Sequence, residues 1–385
     1  MTKLGNCRVC GSVLGQPIFR SSPPSITSLT TLLDVPTTAF LCASCGHGQS
    51  DNLPDVHKFY DTEYRISLES DEHDQLYAVA EGTPVYRTDR QAELVVEFVD
   101  IPKGALLLDY GAAKAATLKK VLAMRPDVVG HVFDVSMDYV SSWESWLSAD
   151  RRATYSLPDS WKQIFDVVTA HFVLEHVESP VEVLRSIHSV LKPNGVLLLS
   201  VPDVLANPGD LLVVDHLNHF SISSVERALV GAGFGDIKID RAAFTGALVV
   251  TARKNATGTA SLQTSVVLEP MLEVAKFWSR AGVLLDHIAA RRGKQKCAIY
   301  GAGFYGSFIA ARIGSVANLV CFVDRNAHLQ GKAQFGFPIV PPKRLPHDVT
   351  LVYAGVNPSK AHTILKHVPE WEGRKIERIF MDELE

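Results

Sequence analysis

Two cysteine pairs near the start of the chain have the spacing of a metal site. Cys7 and Cys10 form one CxxC motif and Cys42 and Cys45 another, and a glycine follows each pair. The spacing lets both thiolates of a pair face one ion from a tight turn, and glycine permits the positive φ that such a turn needs. Four thiolates complete a tetrahedral shell, so we predict a closed structural zinc site. Redox-active pairs and buried free cysteines are the alternatives.

Two carboxylates and a histidine follow apolar segments in the middle of the chain. Asp109 follows residues 105–108, Asp134 follows 128–133, and His171 follows 165–170. Strand-like segments that alternate with helical ones predict an α/β fold with a doubly wound, mostly parallel sheet. Ligands of such sheets bind beyond the carboxyl ends of the strands. We therefore expect these three residues to meet at that edge.

Helices and turns are predicted between and after these strands. We expect helices over 89–99, from the small-residue turn 112–116 to Met124, and over 180–191. A turn over 192–195 and a strand over 196–201 follow. A carboxylate that ends the second strand is placed to bind both hydroxyls of a ribose, although a helix cap or a turn residue is the alternative for each acid.

Two longer motifs resemble the core of class I methyltransferases. One runs from Asp166 to Pro180 and continues in the turn 191–195, and the other runs from His216 to Ser221 into a helix that ends near Gly231. A four-cysteine module precedes this core and a Rossmann-like segment follows it. In this order of domains, nearly the whole chain resembles the sugar C-methyltransferases that act on nucleotide-linked deoxyketosugars. The resemblance implies S-adenosylmethionine as cofactor and a nucleotide-linked sugar as substrate.

The resemblance also implies a set of cofactor-binding residues, namely Asp109, Gly111, Ala113, Asp134, His171 and Phe172. The family's first motif is an acid followed by three alternating glycines, whereas this chain keeps only Gly111 and has alanine at positions 113 and 115. Each alanine adds a methyl group where the methionine part of the cofactor passes the backbone. We expect that addition to weaken cofactor binding.

Catalytic residues follow from the same resemblance. In the family a histidine of a Glu-His pair removes the proton next to the sugar ketone, and the matching pair here is Asp215 and His216. Histidine suits this step because its pKa lies near working pH. Tyr64 matches a tyrosine that holds the enolate, whereas a second family tyrosine is replaced by Val213. His219, at a predicted turn, is a further catalytic candidate.

His176 is predicted to bind substrate, and capping or packing is its alternative.

The carboxy-terminal part of the chain adds a GxGxxG motif, Gly301 to Gly306, after the strand 297–300 and before a helix over 307–313. A second strand, 319–323, ends at Asp324, so the pattern is that of a dinucleotide-binding turn. We find no catalytic set for a dehydrogenase, and assign Gly301, Gly303, Gly306 and Asp324 to the sugar nucleotide, with a purely architectural role as the alternative.

Composition and charge bound the remaining possibilities. The chain has 385 residues and a formal net charge of −4, which argues against a nucleic-acid or membrane partner. We expect a cytoplasmic monomer or homodimer, with Cys297 and Cys321 in the core. The predicted domains are a zinc-binding module over 1–75, a methyltransferase core over 76–255 and a Rossmann-like domain over 256–385, with a linker at 255–264. O-methylation of a related sugar, and a non-catalytic protein that binds nucleotide sugars, remain the alternative functions.

Overall fold

The computed structural model describes residues 5–54, 74, 76–80, 83–254 and 265–383. These residues form two compact units. The first comprises the described parts of Met1–Gly15, Leu41–Ala206 and Leu217–Leu268, and the second comprises those of Gln16–Phe40, Asn207–His216 and Glu269–Glu385. No helix in the described parts of the chain is long and apolar enough to cross a membrane.

Short strands make up the regular structure of the amino-terminal part: β1 (Phe19–Arg20), β2 (Ser25–Ile26), β3 (Leu32–Leu33), β4 (Thr38–Leu41), β5 (Gly48–Ser50), β6 (Leu76–Ala80) and β7 (Thr83–Tyr86). The middle of the chain alternates helices and strands: α1 (Arg87–Phe98), β8 (Leu106–Tyr110), α2 (Ala116–Met124), β9 (Val129–Asp134), α3 (Val140–Glu144), β10 (Arg152–Thr154), β11 (Phe165–His171), α4 (Pro180–Val190), β12 (Leu191–Pro202), β13 (Asn218–His219), α5 (Ile222–Gly231), β14 (Phe234–Asp240) and β15 (Ala247–Lys254). The carboxy-terminal part contains α6 (Glu269–Arg292), β16 (Lys296–Tyr300), α7 (Phe304–Ile313), β17 (Asn318–Val323), β18 (Ala333–Gln334), β19 (Phe337–Val340), β20 (Leu351–Ala354), α8 (Pro358–Lys366) and β21 (Glu377–Ile379).

A seven-stranded sheet is the centre of the first unit. Its strand order is β10-β9-β8-β11-β12-β15-β14. The first five strands of this order, from β10 through β9, β8 and β11 to β12, pair in parallel. Strand β15 runs antiparallel to both of its neighbours. The chain order reverses at β8, which lies between β9 and β11, so the ligand-binding crevice of a doubly wound sheet is expected beyond β8. The predicted α/β class is confirmed.

Apolar side chains on both faces of this sheet are buried, as expected for a sheet with helices on both sides. Leu107 and Leu108 of β8 point to opposite faces and are both buried. One core cluster joins β8 to α1 through Val95 and to α2 through Leu118 and Val121. The sequence of α1 and α2 thus supplies the apolar stripe that fixes the turn between β8 and α2 at the edge of the sheet.

The predicted turn over 192–195 is the clearest departure from the expected elements. The structure continues β12 through these residues as an irregularity: Phe165 pairs with Leu191, and the next pair is Val167 with Val196. Asn194 has a φ of 65°, so the chain does turn locally. Pairing with β11 resumes on either side of the turn, and the strand therefore begins earlier than the sequence pattern indicates.

A six-stranded sheet organises the second unit. Its order is β18-β19-β17-β16-β20-β21, and its strands are parallel except for β18. Strand β16 lies between β17 and β20, so this sheet also reverses its order at its first strand. Helix α7 begins inside the glycine motif, at Phe304, three residues before the predicted start at 307. The predicted Rossmann-like class is confirmed here, whereas the predicted linker 255–264 lies outside the described residues.

Candidate active site

The four amino-terminal cysteines converge in the first unit. All four sulfur atoms lie within 4.8 Å of one another, with 3.6 Å between Cys7 and Cys45 and 3.5 Å between Cys10 and Cys42. Zinc–sulfur bonds of about 2.3 Å give sulfur–sulfur separations of about 3.8 Å in a tetrahedron. Both knuckles close alike, since Gly11 N–H bonds the Cys7 carbonyl and Gly46 N–H bonds the Cys42 carbonyl. The donor set and its geometry fit zinc.

Hydrogen bonds connect this cysteine module to the segment around β13. The Oδ1 atom of Asn218 lies 3.1 Å from His47 Nε2, and its Nδ2 donates to the carbonyls of Leu174 at 2.8 Å and Val177 at 2.7 Å. The Ser223 hydroxyl donates to the Cys45 carbonyl at 3.1 Å. Burial lowers the pKa of His47 to about 3, so this imidazole is neutral. The module is therefore an integral part of the first unit.

The turn between β8 and α2 has a glycine-type conformation at Gly111 and also at two alanines. Gly111, Ala113 and Ala115 have φ values of 75°, 45° and 58°. Two polar contacts pin the middle of the turn: Ala113 N–H donates to Asp134 Oδ2 at 2.9 Å, and Trp143 Nε1 donates to the Ala113 carbonyl at 2.7 Å. These side chains hold Ala113 in a region that L-residues rarely adopt.

The methyl groups of the two alanines have different surroundings. Ala115 is fully buried and belongs to the core cluster beneath the turn. Ala113 is half-buried. A side chain at Gly111 would be strained by the φ of 75° and would force Val173 to shift, because a Cβ there would lie 2.5 Å from a methyl carbon of Val173. Of the two substitutions, only that at Ala113 leaves its methyl group partly exposed at the turn.

Two carboxylates lie at the carboxyl ends of β8 and β9, as predicted. Asp109 Oδ1 accepts a hydrogen bond from Thr169 Oγ1 at 2.9 Å. Burial raises the pKa of Asp109 to about 7, the Thr169 hydrogen bond opposes the rise, and the charge of Asp134 adds to it. Burial also raises the pKa of Asp134, although its bonds from backbone N–H groups oppose this. Asp134 accepts from Ala113 and from Ser136, so it faces the turn.

His171 ends the third predicted strand at the same edge of the sheet. Its Nδ1 lies 3.2 Å from Ser200 Oγ, and among the described residues Nε2 has no hydrogen-bond partner. Burial lowers the pKa of His171 to about 3, helped by the nearby charge of Arg87. The Arg87 guanidinium carbon lies 3.9 Å from the centre of the Phe172 ring. Phe172 has a φ of 58°, a strained conformation of the kind that clusters at functional sites.

His216, the predicted base, lies in the second unit and pairs with an acid that the sequence did not single out. Its Nδ1 lies 2.5 Å from Oδ1 of Asp210. The neighbouring Asp215 instead accepts from Ser28, from the backbone N–H at 2.7 Å and from the hydroxyl at 2.6 Å. The sequence does place Asp210 six residues before His216. Asp215, however, is adjacent to the histidine, and the resemblance matched it to the acid of the family's Glu-His pair.

The other predicted catalytic and substrate residues have varied positions. His219 lies in β13 and not at a turn, is fully buried, and its Nε2 lies 2.8 Å from Ser50 Oγ. Pairing of β13 with β5 fixes this strand, which was too short to show a pattern. His176 ends a short helical turn, Leu174–His176, and is half-buried. Tyr64 lies outside the described residues.

The glycine motif of the second unit opens α7 as predicted. A Cβ at Gly301 would lie 2.3 Å from the Gly355 carbonyl oxygen, and one at Gly306 would lie 1.9 Å from the Gly301 carbonyl oxygen. These two glycines are required by backbone packing. At Gly303 a Cβ would meet no atom of the described residues within 4 Å. Asp324 accepts from the backbone N–H of Ala302 at 2.8 Å, so the acid faces the motif.

Comparison with known families decides the class of the first sheet. Residues 86–239 match the family model described as a methyltransferase domain, which spans less than half of the chain. This chain carries a methyltransferase domain. The prediction of a methyltransferase is thereby confirmed. None of the curated proteins matches the sequence.

Solved structures with similar folds are distant from this chain. A methyltransferase in complex with the Haloferax volcanii Trm112 activator is 16% identical, with 44% of this chain and 91% of that chain covered and a TM-score of 0.36. Human N-acetylserotonin methyltransferase in complex with S-adenosylmethionine is 19% identical, with 43% and 52% covered and a TM-score of 0.36. The CurJ carbon methyltransferase is 16% identical, with 44% and 55% covered and a TM-score of 0.36. This chain thus spans about half the length of the last two, and none of these likenesses carries an argument about substrate or mechanism.

The residues at the carboxyl edge of the methyltransferase domain fit a bound S-adenosylmethionine. The turn keeps positive φ at positions 111, 113 and 115, a buried acid ends β9, and the buried Nε2 of His171 has no partner among the described residues. Sequence reasoning missed Trp143, whose indole holds the turn, and Thr169, which bonds Asp109. Neither side chain has a signal in the sequence, since both contacts join segments that are distant along the chain.

Proposed function

We propose that this chain transfers a methyl group from S-adenosylmethionine to a carbon atom of a nucleotide-linked ketosugar. The observation that carries the proposal is the set of Asp109, Asp134 and His171 at the carboxyl edge of the methyltransferase domain, beside a turn that keeps its glycine-type conformation. The acceptor rests on the resemblance of the chain to sugar C-methyltransferases and on the His216 segment.

The methyltransferase domain supplies the cofactor site in this proposal. Asp134 binds the ribose hydroxyls, and the turn from Gly111 to Ala115 lies against the methionine part. Asp109 and His171, with Phe172, complete the lining at the ends of β8 and β11. When bound, S-adenosylmethionine supplies a methyl group on a sulfonium, which a carbon nucleophile accepts as the sulfur leaves as a neutral thioether.

His216 acts as the general base. A neutral imidazole removes the proton from the carbon next to the sugar ketone, and the electron pair left on that carbon is delocalised as an enolate. Tyr64 donates a hydrogen bond to the enolate oxygen, as the resemblance implies. His176 and His219 remain candidates for contact with the sugar.

The glycine motif of the second unit binds the nucleotide part of the substrate. The N-terminus of α7 suits a diphosphate because its backbone N–H groups and dipole favour an anion. The lack of any contact at the Gly303 Cβ position agrees with close approach of a ligand. Zinc in the four-cysteine site is structural, because four protein thiolates leave no position for substrate or water.

A transfer assay tests the proposal. Full-length protein is incubated with S-adenosylmethionine labelled at the methyl group and with a panel of nucleotide-linked 4-ketosugars and 3-ketosugars. We expect label in the sugar, and a kcat lower by about 100-fold or more in His216→Asn. His362→Asn is the matched control, since this exposed histidine pairs with Asp382 on the surface of the second unit.

The products separate the remaining alternatives. Label on a sugar oxygen would replace C-methylation by O-methylation. Absence of transfer to every ketosugar, with nucleotide sugars still bound, would leave a non-catalytic binding protein. Full activity of His216→Asn on an identified acceptor would contradict the assignment of the base.

A further inference from the structure

A short segment of the second unit, 207–216, folds as a series of linked turns. Asp210 N–H bonds the Asn207 carbonyl at 3.0 Å, Val213 N–H bonds the Asp210 carbonyl at 3.1 Å, and His216 N–H bonds the Val213 carbonyl at 3.1 Å. Each turn starts where the previous one ends, so the chain folds back and brings the Asp210 and His216 side chains together. The resulting contact is 2.5 Å between Oδ1 and Nδ1.

The surroundings make this contact a carboxylate–histidine dyad. The Asp210 side chain is 0% exposed and that of His216 is 12% exposed, so water competes little for the bond. A buried carboxylate accepts from Nδ1–H, which fixes the imidazole in the tautomer that has its lone pair on Nε2. A base needs that lone pair, and it also needs its ring held in one orientation.

We propose that Asp210 is the positioning residue for His216, and that Asp215 is not. The catalytic meaning of this assignment rests on the proposed function, in which His216 is the base. Asp210 selects the tautomer of His216 and stabilises the imidazolium that forms when the proton is taken. The proton moves from the substrate carbon to Nε2, and Asp210 keeps its charge throughout.

Asp215 has a different task, although it is the neighbour of His216 in sequence. Its two oxygens accept from the backbone N–H and the hydroxyl of Ser28, next to β2. The adjacent Val214 N–H also bonds the Ile26 carbonyl at 2.9 Å. Asp215 therefore anchors the end of the segment to the strands of the second unit.

A tyrosine of the glycine motif supports the other end of the same segment. The Tyr305 hydroxyl donates to Asn207 Oδ1 at 2.9 Å and accepts from Gly209 N–H at 3.3 Å. Trp278, stacked on Tyr305 with ring centres 6.0 Å apart, donates to the Pro208 carbonyl at 2.7 Å. Gly209 makes room for this support, because a Cβ there would lie 2.9 Å from the tyrosine ring. Hydrogen bonds from side chains of α6 and α7 thus hold the turn that carries Asp210.

Nitrogen NMR of full-length protein labelled in its histidines tests the assignment without cofactor or acceptor. The His216 signals are identified by their loss in His216→Asn. In the wild type we expect the Nδ1–H tautomer to dominate. In Asp210→Asn, whose amide can either accept or donate, we expect the ratio of the two tautomers to shift by about tenfold or more. In the isosteric Asp215→Asn we expect the wild-type ratio and a lower melting temperature.

A second variant covers the case in which Asp210→Asn does not fold. Tyr305→Phe keeps the ring on Trp278 and removes the hydroxyl, and we expect faster amide hydrogen exchange at Gly209 and Asp210, together with a partial shift of the tautomer ratio. An unchanged ratio in both variants, or an equal shift in Asp215→Asn, would overturn the inference.

This readout also separates the inference from the proposed function. A shifted ratio in a protein that transfers no methyl group would leave the dyad standing and remove its role in methylation. With an identified acceptor, Asp210→Asn should lower kcat by about tenfold or more and leave the KM for S-adenosylmethionine unchanged, because the proposal assigns the cofactor to other residues.

Discussion

Asp109 is a carboxylic acid whose pKa is raised in the folded protein. It is 4% exposed, and among the described residues the hydrogen bond from Thr169 favours its charged form. Burial therefore dominates and brings its pKa to about 7. A carboxyl with a raised pKa can donate as well as accept when it is protonated. Burial also raises the pKa of Asp134, and backbone N–H groups oppose that rise.

The raised pKa of Asp109 predicts a specific pH dependence of stability. The folded state holds this proton more tightly than the unfolded state, so the free energy of unfolding should fall as pH rises from about 4 to 7, by up to about 1.4 kcal/mol per pH unit. Urea unfolding of wild type and Asp109→Asn across that range measures the difference. The contribution of His171 has the opposite sign, is lost as pH falls below about 6.5, and is shared by both proteins.

Subtraction of the two urea series isolates Asp109. Asp166→Asn is a control, since its carboxylate is half-buried and pairs with Lys192. The same pH slope in wild type and Asp109→Asn would contradict the raised pKa.

Residues at strand ends were predictable and the partner of His216 was not. Asp109, Asp134 and His171 each follow a clear apolar segment, and alternation of strands and helices brings such positions to one edge. Asp210 lies in a short 3-10 helix, Pro208–Leu212, where the sequence shows no apolar period. Which of two acids faces a histidine there depends on hydrogen bonds to Ser28 and Tyr305, which no local pattern encodes.

The turn between β8 and α2 shows how an element keeps its conformation after losing two glycines. Left-handed conformations cost an alanine roughly 1–2 kcal/mol. The burial of the Ala115 methyl group and the bonds of Ala113 to Asp134 and Trp143 offset that cost. The sequence suggested a weakened cofactor site because both alanines add a methyl group. In the structure one of these methyl groups is in the core.

We expect zinc bound by the four cysteines to stabilise parts of the protein beyond the cysteine module itself. Cys42→Ser should abolish the binding of one zinc per chain, lower the melting temperature and expose the amides of 217–224 to hydrogen exchange, because Asn218 and Ser223 bond the module. Elemental analysis, thermal unfolding and exchange mass spectrometry measure these changes. Cys297→Ser is the control, a cysteine that is also buried but lies in β16.

Either of two results would contradict the zinc prediction. Wild-type protein prepared without added metal and without chelators would contain no zinc, or Cys42→Ser would keep it. Either result would leave the four thiols as a packed cluster and remove the metal from the account.

The elements themselves were largely predictable. Helices α1, α2 and α4 and strands β8, β9 and β11 have bounds close to those expected, because apolar periodicity and flanking turn residues mark them. The errors fell where pairing across the sheet decides the structure. Strand β12 includes residues 192–195, which were expected to form a turn. Strand β13 was also expected to be a turn, since a strand of two residues is too short to show an apolar period.

At the scale of the molecule, the compact units do not follow the chain in simple order. Residues Gln16–Phe40 and Asn207–His216 group with the carboxy-terminal part, although the second segment lies within the range that matches a methyltransferase domain. The sequence suggested three consecutive domains because composition and periodicity are read along the chain. Grouping by contacts depends on long-range hydrogen bonds such as those of Ser28 and Trp278, which a linear pattern does not contain. The boundaries at 75 and 255 stay predictions.

Methyl transfer by this chain requires cofactor binding by a turn in which alanine replaces two of the three glycines. Titration calorimetry with S-adenosylhomocysteine measures this directly on wild type, Asp134→Asn and Asp159→Asn, the last an exposed acid of the same unit. We predict one site per chain, an affinity about 10- to 100-fold lower in Asp134→Asn because its charge-assisted bonds to the ribose are lost, and no change in Asp159→Asn. Absence of binding to wild type at millimolar ligand, or equal affinity in Asp134→Asn, would contradict the account.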